Sequence, residues 1–213
     1  MVKDFNKICK DEKTILFKRL NEKAKVSDSP LKVLEIGGGT GANFEFINEP
    51  INWTTIEPNE HCNVINVKNQ KNWDSKFEFG GIIQGFAEDL SQFPDETFDV
   101  VIETLVLCSV NDVDQSLREI QRVLKPSGTF FFLDHVQAPV ENSWTLRIQN
   151  FLTNTFWPSL VGNCHLNRRI GKQIQDSGLF SKTEIVEFTP VFTKIPFGIT
   201  KLIRFEIYGW ATK

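Results

Sequence analysis

The rhythm of apolar and polar positions changes several times along the chain. From Lys7 to Lys25, Ile8, Ile15, Leu16 and Leu20 recur near helical spacing among Lys, Asp and Glu, which predicts an amphipathic helix. It ends before Ser27-Asp28-Ser29-Pro30, a run of turn-forming residues. Residues 1–30 are thus expected to form an N-terminal helical cap, either covering a pocket or simply solvated, ahead of a domain spanning 31–213. The pattern then shortens. Lys32–Ile36 reads as a buried strand that runs into Gly37-Gly38-Gly39-Thr40-Gly41, followed by a short helix over Ala42–Ile47. Further strands are predicted at Trp53–Ile56, Gly81–Phe86, Phe98–Ile102 and Thr129–Leu133, and a helix at His61–Gln70. Asp112–Leu124 is helical by spacing, with Val113, Leu117, Ile120 and Leu124 on one face, and stops at Lys125-Pro126-Ser127-Gly128. Strand and helix alternate with short connections. This grammar predicts an α/β fold, a parallel sheet covered by helices on both faces and doubly wound through right-handed crossovers.

The remaining third has a different texture. Glu141–Leu160 is rich in aromatic residues and reads as a helical insert ending at Pro158, within a stretch at about 137–165. Asn167–Ser177 is a helix with Asn167 as N-cap and Gly178 as C-cap. Thr183–Thr189 and Arg204–Thr212 are two late strands able to pair as a terminal hairpin.

Composition narrows the function. The chain has 213 residues, 40% hydrophobic and 24% charged, as ordinary globular domains do. Its net charge of -3 offers no basic excess for phosphates, so electrostatic nucleic-acid binding is disfavoured. No apolar run approaches the roughly 18 residues that span a bilayer, so no integral membrane segment is expected. Cys9, Cys62, Cys108 and Cys164 are nowhere closer than 46 positions, which excludes CxxC redox motifs and compact zinc knuckles. A reduced, intracellular and cytoplasmic protein is the simplest expectation. Cys164 and His165 adjoin, but no further ligand stands at a useful spacing and no metal is expected. Cys108 reads as a small buried apolar residue. Among 19 Phe, some are expected in the core and some around an apolar cavity.

The chemistry concentrates at the glycine loop. Glu35-x-Gly37-x-Gly39-x-Gly41 sits where a strand turns into a helix, where a ligand can approach backbone without meeting a Cβ. Taken alone the loop is ambiguous. Gly37-x-Gly39-x-x-Ala42 satisfies the dinucleotide pattern, and Glu57, about twenty positions on, suits the ribose of either a nicotinamide or another nucleoside cofactor. A glycine turn without ligand is the remaining alternative.

Downstream residues separate these readings. Thr97-Phe98-Asp99-Val100-Val101, then Leu117-Arg118-Glu119-Ile120-x-Arg122-Val123-Leu124-Lys125-Pro126-x-Gly128, follow the loop and the acid in an order that resembles class I S-adenosylmethionine-dependent methyltransferases, over about residues 30–136. The resemblance implies a Rossmann-like, mostly parallel seven-stranded sheet with an antiparallel last strand, and S-adenosylmethionine as cofactor. It places Gly37, Gly38, Gly39, Gly41 and Asn43 around the methionine and ribose, and Glu35 near the methionine amino group or behind the loop. Glu57 would hold the ribose hydroxyls and Pro58 and Asn59 would flank the adenine. Phe86, Ala87 and Glu88 match the stretch that meets the adenine. Many relatives have Asp where Phe86 stands, which shifts the reading of the adenine amino group to Glu88 or backbone. Thr104, Leu105 and Val106 match the segment beside the transferring methyl.

Three further stretches narrow the resemblance: Gly39-Thr40-Gly41-Ala42-Asn43-Phe44, Thr104-Leu105-Val106-Leu107-Cys108-Ser109-Val110, and Leu133-Asp134-His135-Val136. With the Trp-rich insert, Gly162-Asn163-Cys164-x-Leu166 and Ile207-Tyr208-Gly209-x-Ala211, they resemble the methyltransferase-like protein 7 family of alkyl thiol S-methyltransferases. Those proteins begin with a hydrophobic anchoring segment, whereas the N-terminus here is short and polar. The loop has Gly-Gly-Gly where relatives often have Gly-Cys-Gly, an exchange expected to be neutral.

The resemblance implies methyl transfer to a small apolar acceptor, most simply a thiol, with an O- or N-methyltransferase as the alternative. A nicotinamide oxidoreductase and a non-catalytic binding module are the competitors from other classes. A thiol is already partly ionised near neutral pH, so a dedicated base is optional. If one exists, His135 is the candidate, since an unperturbed imidazole near pH 6.5 suits proton uptake, with Asp134 orienting it. Trp144, Phe151 and Trp157, with Phe156, are expected to form an apolar lid over the acceptor.

Overall fold

The computed structural model describes residues 8–62, 77–139, 143–190 and 202–213. Its centre is a seven-stranded sheet: β1 (Leu31–Ile36), β2 (Ile51–Ile56), β3 (Phe77–Ile83), β4 (Phe98–Thr104), β5 (Leu124–His135), β6 (Lys182–Phe188) and β7 (Glu206–Thr212). The spatial order is β3-β2-β1-β4-β5-β7-β6. The first five strands pair in parallel, and β7 runs antiparallel to both β5 and β6. Strand order reverses between β1 and β4, so a crevice opens at the carboxyl ends of these strands.

The strands are apolar on both faces because both faces are covered. Phe130 and Phe132 of β5 point into one core layer, with Leu34, Leu117 and Ile120; Phe131 points into the other, with Val33, Trp53 and Leu20. The period of two sends neighbours to opposite faces. Helix α1 (Lys10–Lys25) closes the second layer. Leu16, Phe17 and Leu20 are all buried, each contributing about 1.5–3 kcal/mol. The helix is therefore part of the core rather than a solvated cap. Its inner face is set by Lys13, Leu16, Phe17 and Leu20, while Ile15 is 46% exposed and lies outside it.

Helix α2 (Val113–Val123) starts where expected: the Asp112 side chain caps it by accepting from Gln115 N at 2.9 Å. Arg122 near its end donates to the carbonyls of Leu90 and Phe93 and pairs with Glu119 and Asp95, tying the segment before β4 to the helix. The Leu-Lys-Pro-Ser-Gly turn does not separate α2 from β5, because Leu124 already pairs with Phe98 before the ladder shifts register and resumes at Thr129. The short helix after the glycine loop is a single 3-10 turn, Phe44–Phe46. The aromatic insert forms two helices, α3 (Trp144–Thr153) and α4 (Trp157–Leu160), with Pro158 at the start of α4 rather than at a stop. Helix α5 (Ile170–Asp176) begins later than the Asn167 N-cap predicted. The helix expected at His61–Gln70 lies mostly outside the described residues; His61 and Cys62 are helical. No described helix is long and apolar enough to cross a membrane.

Candidate active site

The glycine loop bends because its residues occupy left-handed conformations: Gly37, Gly39 and Gly41 have φ of 66°, 52° and 77°. Gly37 N donates to Ile56 O at 2.8 Å, fixing the loop over the end of β2. The middle glycine is as constrained as its neighbours. A Cβ on Gly38 would stand 2.2 Å from Thr55 Cγ2 and 2.8 Å from Glu35 Oε2. The expectation that a side chain there is neutral does not hold for this chain, since Thr55 and Glu35 already fill the space.

Glu35 sits behind the loop, fully buried. Its carboxylate accepts from Asn43 Nδ2 at 2.7 Å, Trp53 Nε1 at 3.1 Å and Thr55 Oγ1 at 3.2 Å. Burial raises its pKa; these donors oppose that. Asn43 also accepts from Lys13 Nζ at 2.8 Å and donates to Thr104 Oγ1 at 3.1 Å. Helix α1, the loop and β4 are thus joined through one amide. Burial lowers Lys13 to about 8. Glu35 and Asn43 are therefore internal supports of the loop. The sequence reading does not single out Lys13; its signal is a lysine among the apolar positions of a helix.

Glu57 stands at the end of β2. Its Oε2 accepts from Gly39 N and its Oε1 from Asn59 N, both at 2.9 Å. Beside it, Pro58, Asn59, His61 and Gln84 line a hollow of about 440 Å³. Phe86 is 59% exposed and Ala87 is buried. Glu88 is already engaged, accepting from Asn111 N at 2.5 Å and Asp112 N at 3.4 Å. After β4, Leu105 adopts φ of 62°, a strained conformation for a branched residue, and donates to Leu133 O at 2.7 Å. Val106 packs where a Cβ on Gly37 would fall.

At the end of β5 the structure gathers more groups than the sequence suggests. Asp134 is fully buried; its Oδ2 accepts from Cys108 N at 3.0 Å and its Oδ1 from His135 N at 2.8 Å. Asp134 thereby fixes backbone and does not orient the imidazole. Burial pushes its carboxyl up to about 6. Burial, helped by Arg168, lowers His135 to about 4, so the ring is neutral near pH 7 and a much weaker base than its unperturbed value implies. Among the described residues neither of its nitrogens has a hydrogen-bond partner. Cys108 and Cys164, far apart in sequence, converge with it: the two sulfurs and one ring nitrogen all lie within 4.8 Å of one another. The neighbouring Cys164 thiol and burial hold Cys108 well above the ordinary thiol range, and the same contact lowers Cys164. Sequence spacing conceals this cluster because His135 ends β5 while the two cysteines come from two separate connections. His165 lies apart from it, with Nδ1 at 2.7 Å from Asn163 O.

Two buried acids also escape the sequence reading, Glu103 and Glu206, whose carboxyls burial raises well above the usual range. Glu103 follows the apolar run Val100–Ile102 of β4 and Glu206 opens β7, positions at strand ends where an acid is not conspicuous in the sequence. A cavity of about 730 Å³ opens just beyond His135, lined by Val136, Phe188, Phe205, Glu206 and Arg169 among others. The expected lid residues do not line it. Trp144 and Phe151 are 76% and 63% exposed on the outer side of α3, and Trp157 is half-buried at the start of α4.

A family model described as a methyltransferase domain matches residues 34–132. Thiol S-methyltransferase TMT1A from Homo sapiens is 34% identical over 209 residues, covering 98% of this chain and 81% of that protein. Thiol S-methyltransferase TMT1B from Rattus norvegicus is 34% identical over 187 residues, covering 88% and 75%. In fold, the chain is similar to phosphoethanolamine N-methyltransferase 2 from Haemonchus contortus, solved with phosphomonomethylethanolamine and S-adenosylhomocysteine, with a TM-score of 0.66 at 15% identity over 95% of this chain and 53% of that one. A glycine bend tied to a strand-end carboxylate at the reversal of a doubly wound sheet, in a chain that aligns with these relatives over most of its length, makes this protein a methyltransferase, a member of the TMT1 family of thiol S-methyltransferases.

Proposed function

We propose that this protein transfers the methyl group of S-adenosylmethionine to the sulfur of a small apolar thiol. The observation that carries the reading is the tie between Gly39 N–H and the buried Glu57 carboxylate at the switch point between β1 and β4. Such a tie holds the bare bend open and presents a carboxylate, with acceptor capacity left on both oxygens, to a ribose diol. The relatives' names supply the acceptor class.

The residues fit the nucleoside. Beyond Gly39 a Cβ would meet only Gly37 O at 3.9 Å, so space is left on that side of the bend. Glu57 would accept from both ribose hydroxyls, and Pro58 and Asn59 would border the adenine in the hollow. Since Glu88 already holds the backbone of Asn111, the exposed Phe86 ring and the backbone at Ala87 are the contacts left for the base. Thr104 and Leu105 would flank the methionine portion.

When bound, the sulfonium donor supplies a methyl carbon to an acceptor thiolate by in-line displacement, leaving a thioether and S-adenosylhomocysteine and releasing the thiol proton. The chain's part is positioning, which is worth up to about 7–11 kcal/mol in well-oriented reactions. A thiol near pKa 8.5 is a few per cent ionised at neutral pH, so little general-base assistance is required of the neutral His135. Asp134 acts as a positioning residue by pinning the backbones of Cys108 and His135.

The test offers labelled methyl donor with apolar thiols, phenols, carboxylates and amines. Label in the thiol product is expected. Label in amine or phenol only would overturn the acceptor class; no transfer to any acceptor, with no stabilisation by S-adenosylhomocysteine, would overturn the cofactor as well.

A further inference from the structure

We propose that Cys108, His135 and Cys164 bind a zinc ion. Their three donor atoms lie within 4.8 Å of one another, a set small enough to surround one cation. Two thiolates and an imidazole are the donors that zinc selects, and they come from a strand end and two connections that only the fold brings together.

The site is built rather than accidental. Each ligand's backbone is pinned by something other than the cluster itself. Asp134 accepts from the backbone N–H of both Cys108 and His135. The turn carrying Cys164 is fastened to the segment carrying Cys108 by His165 N to Cys108 O at 2.8 Å and by Asn163 Nδ2 to Ser109 O at 2.7 Å. Asn163 holds a left-handed φ of 65° to make that turn. Arg168 locks the same two segments by donating to the carbonyls of Leu107 and Val110. Donors held this way need little rearrangement to coordinate.

His135 gives the independent reason. Its side chain is buried, one ring nitrogen faces the two sulfurs, and among the described residues neither nitrogen has a hydrogen-bond partner. A buried polar group without a partner is destabilising. A Cys108–Cys164 disulfide would leave that cost in place, whereas coordination removes it at the ligating nitrogen. Glu206, the cross-strand register partner of His135, is likewise buried with no partner on either oxygen among the described residues. The two side chains do not hydrogen-bond to each other in this structure; with zinc on one ring nitrogen, Glu206 is the acid in register to accept the N–H of the other. The two thiolates offset the charge of the cation. The inference does not depend on the methyl acceptor.

The full chain, purified under reducing conditions without chelator, is expected to carry about one zinc per molecule. After chelation, titration with cobalt(II) should give thiolate-to-metal charge-transfer absorption, saturating at one equivalent. Cys164→Ser and His135→Gln should lose that spectrum, Cys62→Ser should keep it, and Glu206→Gln should weaken metal affinity about 10–100-fold. Circular dichroism establishes that each variant is folded, and the wild-type result stands without them. Three results would overturn the site: substoichiometric zinc with no charge-transfer band in the wild-type chain, an unchanged spectrum in Cys164→Ser, or a Cys108–Cys164 disulfide whose reduction yields no cobalt binding.

Discussion

Gly38→Ala probes the support of the glycine loop by adding one carbon. The new Cβ would fall 2.2 Å from Thr55 Cγ2 and 2.8 Å from Glu35 Oε2. Thr55 is fully buried and stiff at χ1, and its hydroxyl is committed to Glu35, so it has no easy retreat. Overpacking of this kind costs about 1–3 kcal/mol. In a chain of 213 residues that corresponds to a fall in Tm of roughly 2–12 °C. Thr55→Ser removes the clashing methyl and keeps the hydroxyl that donates to Glu35. In that background the same Gly38→Ala change should cost less, with a coupling of about 0.5–3 kcal/mol. Part of the cost should remain, because Glu35 Oε2 is still close. Urea unfolding of the four proteins measures the cycle. If Gly38→Ala is as damaging in the Thr55→Ser background as in the wild-type chain, or harmless in both, the packing behind the loop is not as described.

Glu57→Gln should weaken S-adenosylhomocysteine binding about 10–150-fold, since hydrogen bonds to a charged group are worth about 1.5–3 kcal/mol; calorimetry reads this, and unchanged affinity would remove the ribose assignment. Lys13 is held down to about 8, below its ordinary 10.5, so the stability tied to it is fully present only above 10.5 and is lost as pH falls towards 8. Between about pH 8 and 9.5 Lys13 should therefore add about 2 kcal/mol to wild-type stability that Lys13→Met does not gain; parallel pH profiles in urea unfolding would contradict its burial.

Much of the fold is legible in the sequence because the signals are local. Short apolar strands followed by Gly or Pro, and the helix capped by Asp112, require only neighbouring residues to be read. The carboxylate at Glu57 and the glycine bend are legible for the same reason, being two ends of adjacent strands. What escapes depends on residues that meet only after folding. Cys108, His135 and Cys164 share no spacing that a linear pattern could register. The burial of Lys13 escapes as well, because its aliphatic stem occupies a core position while its amine reaches Asn43 across the fold. The aromatic insert misleads for a related reason. Aromatic content predicts an inward lid, but α3 buries Leu146, Gln149 and Thr153 and turns Trp144 and Phe151 outward. Gln149 is held inside by donating to Leu202 O and accepting from Ala138 N, both at 2.8 Å, bonds that decide which face of the helix is inner.

The central claim is most directly tested by incubating the purified chain with S-adenosylmethionine carrying a deuterated methyl group and an apolar thiol, and weighing the products by mass spectrometry. A thioether bearing the label, formed in step with S-adenosylhomocysteine and reduced at subsaturating donor by Glu57→Gln, is the predicted result. An unmodified thiol at saturating donor, from a chain shown to be folded, would contradict it.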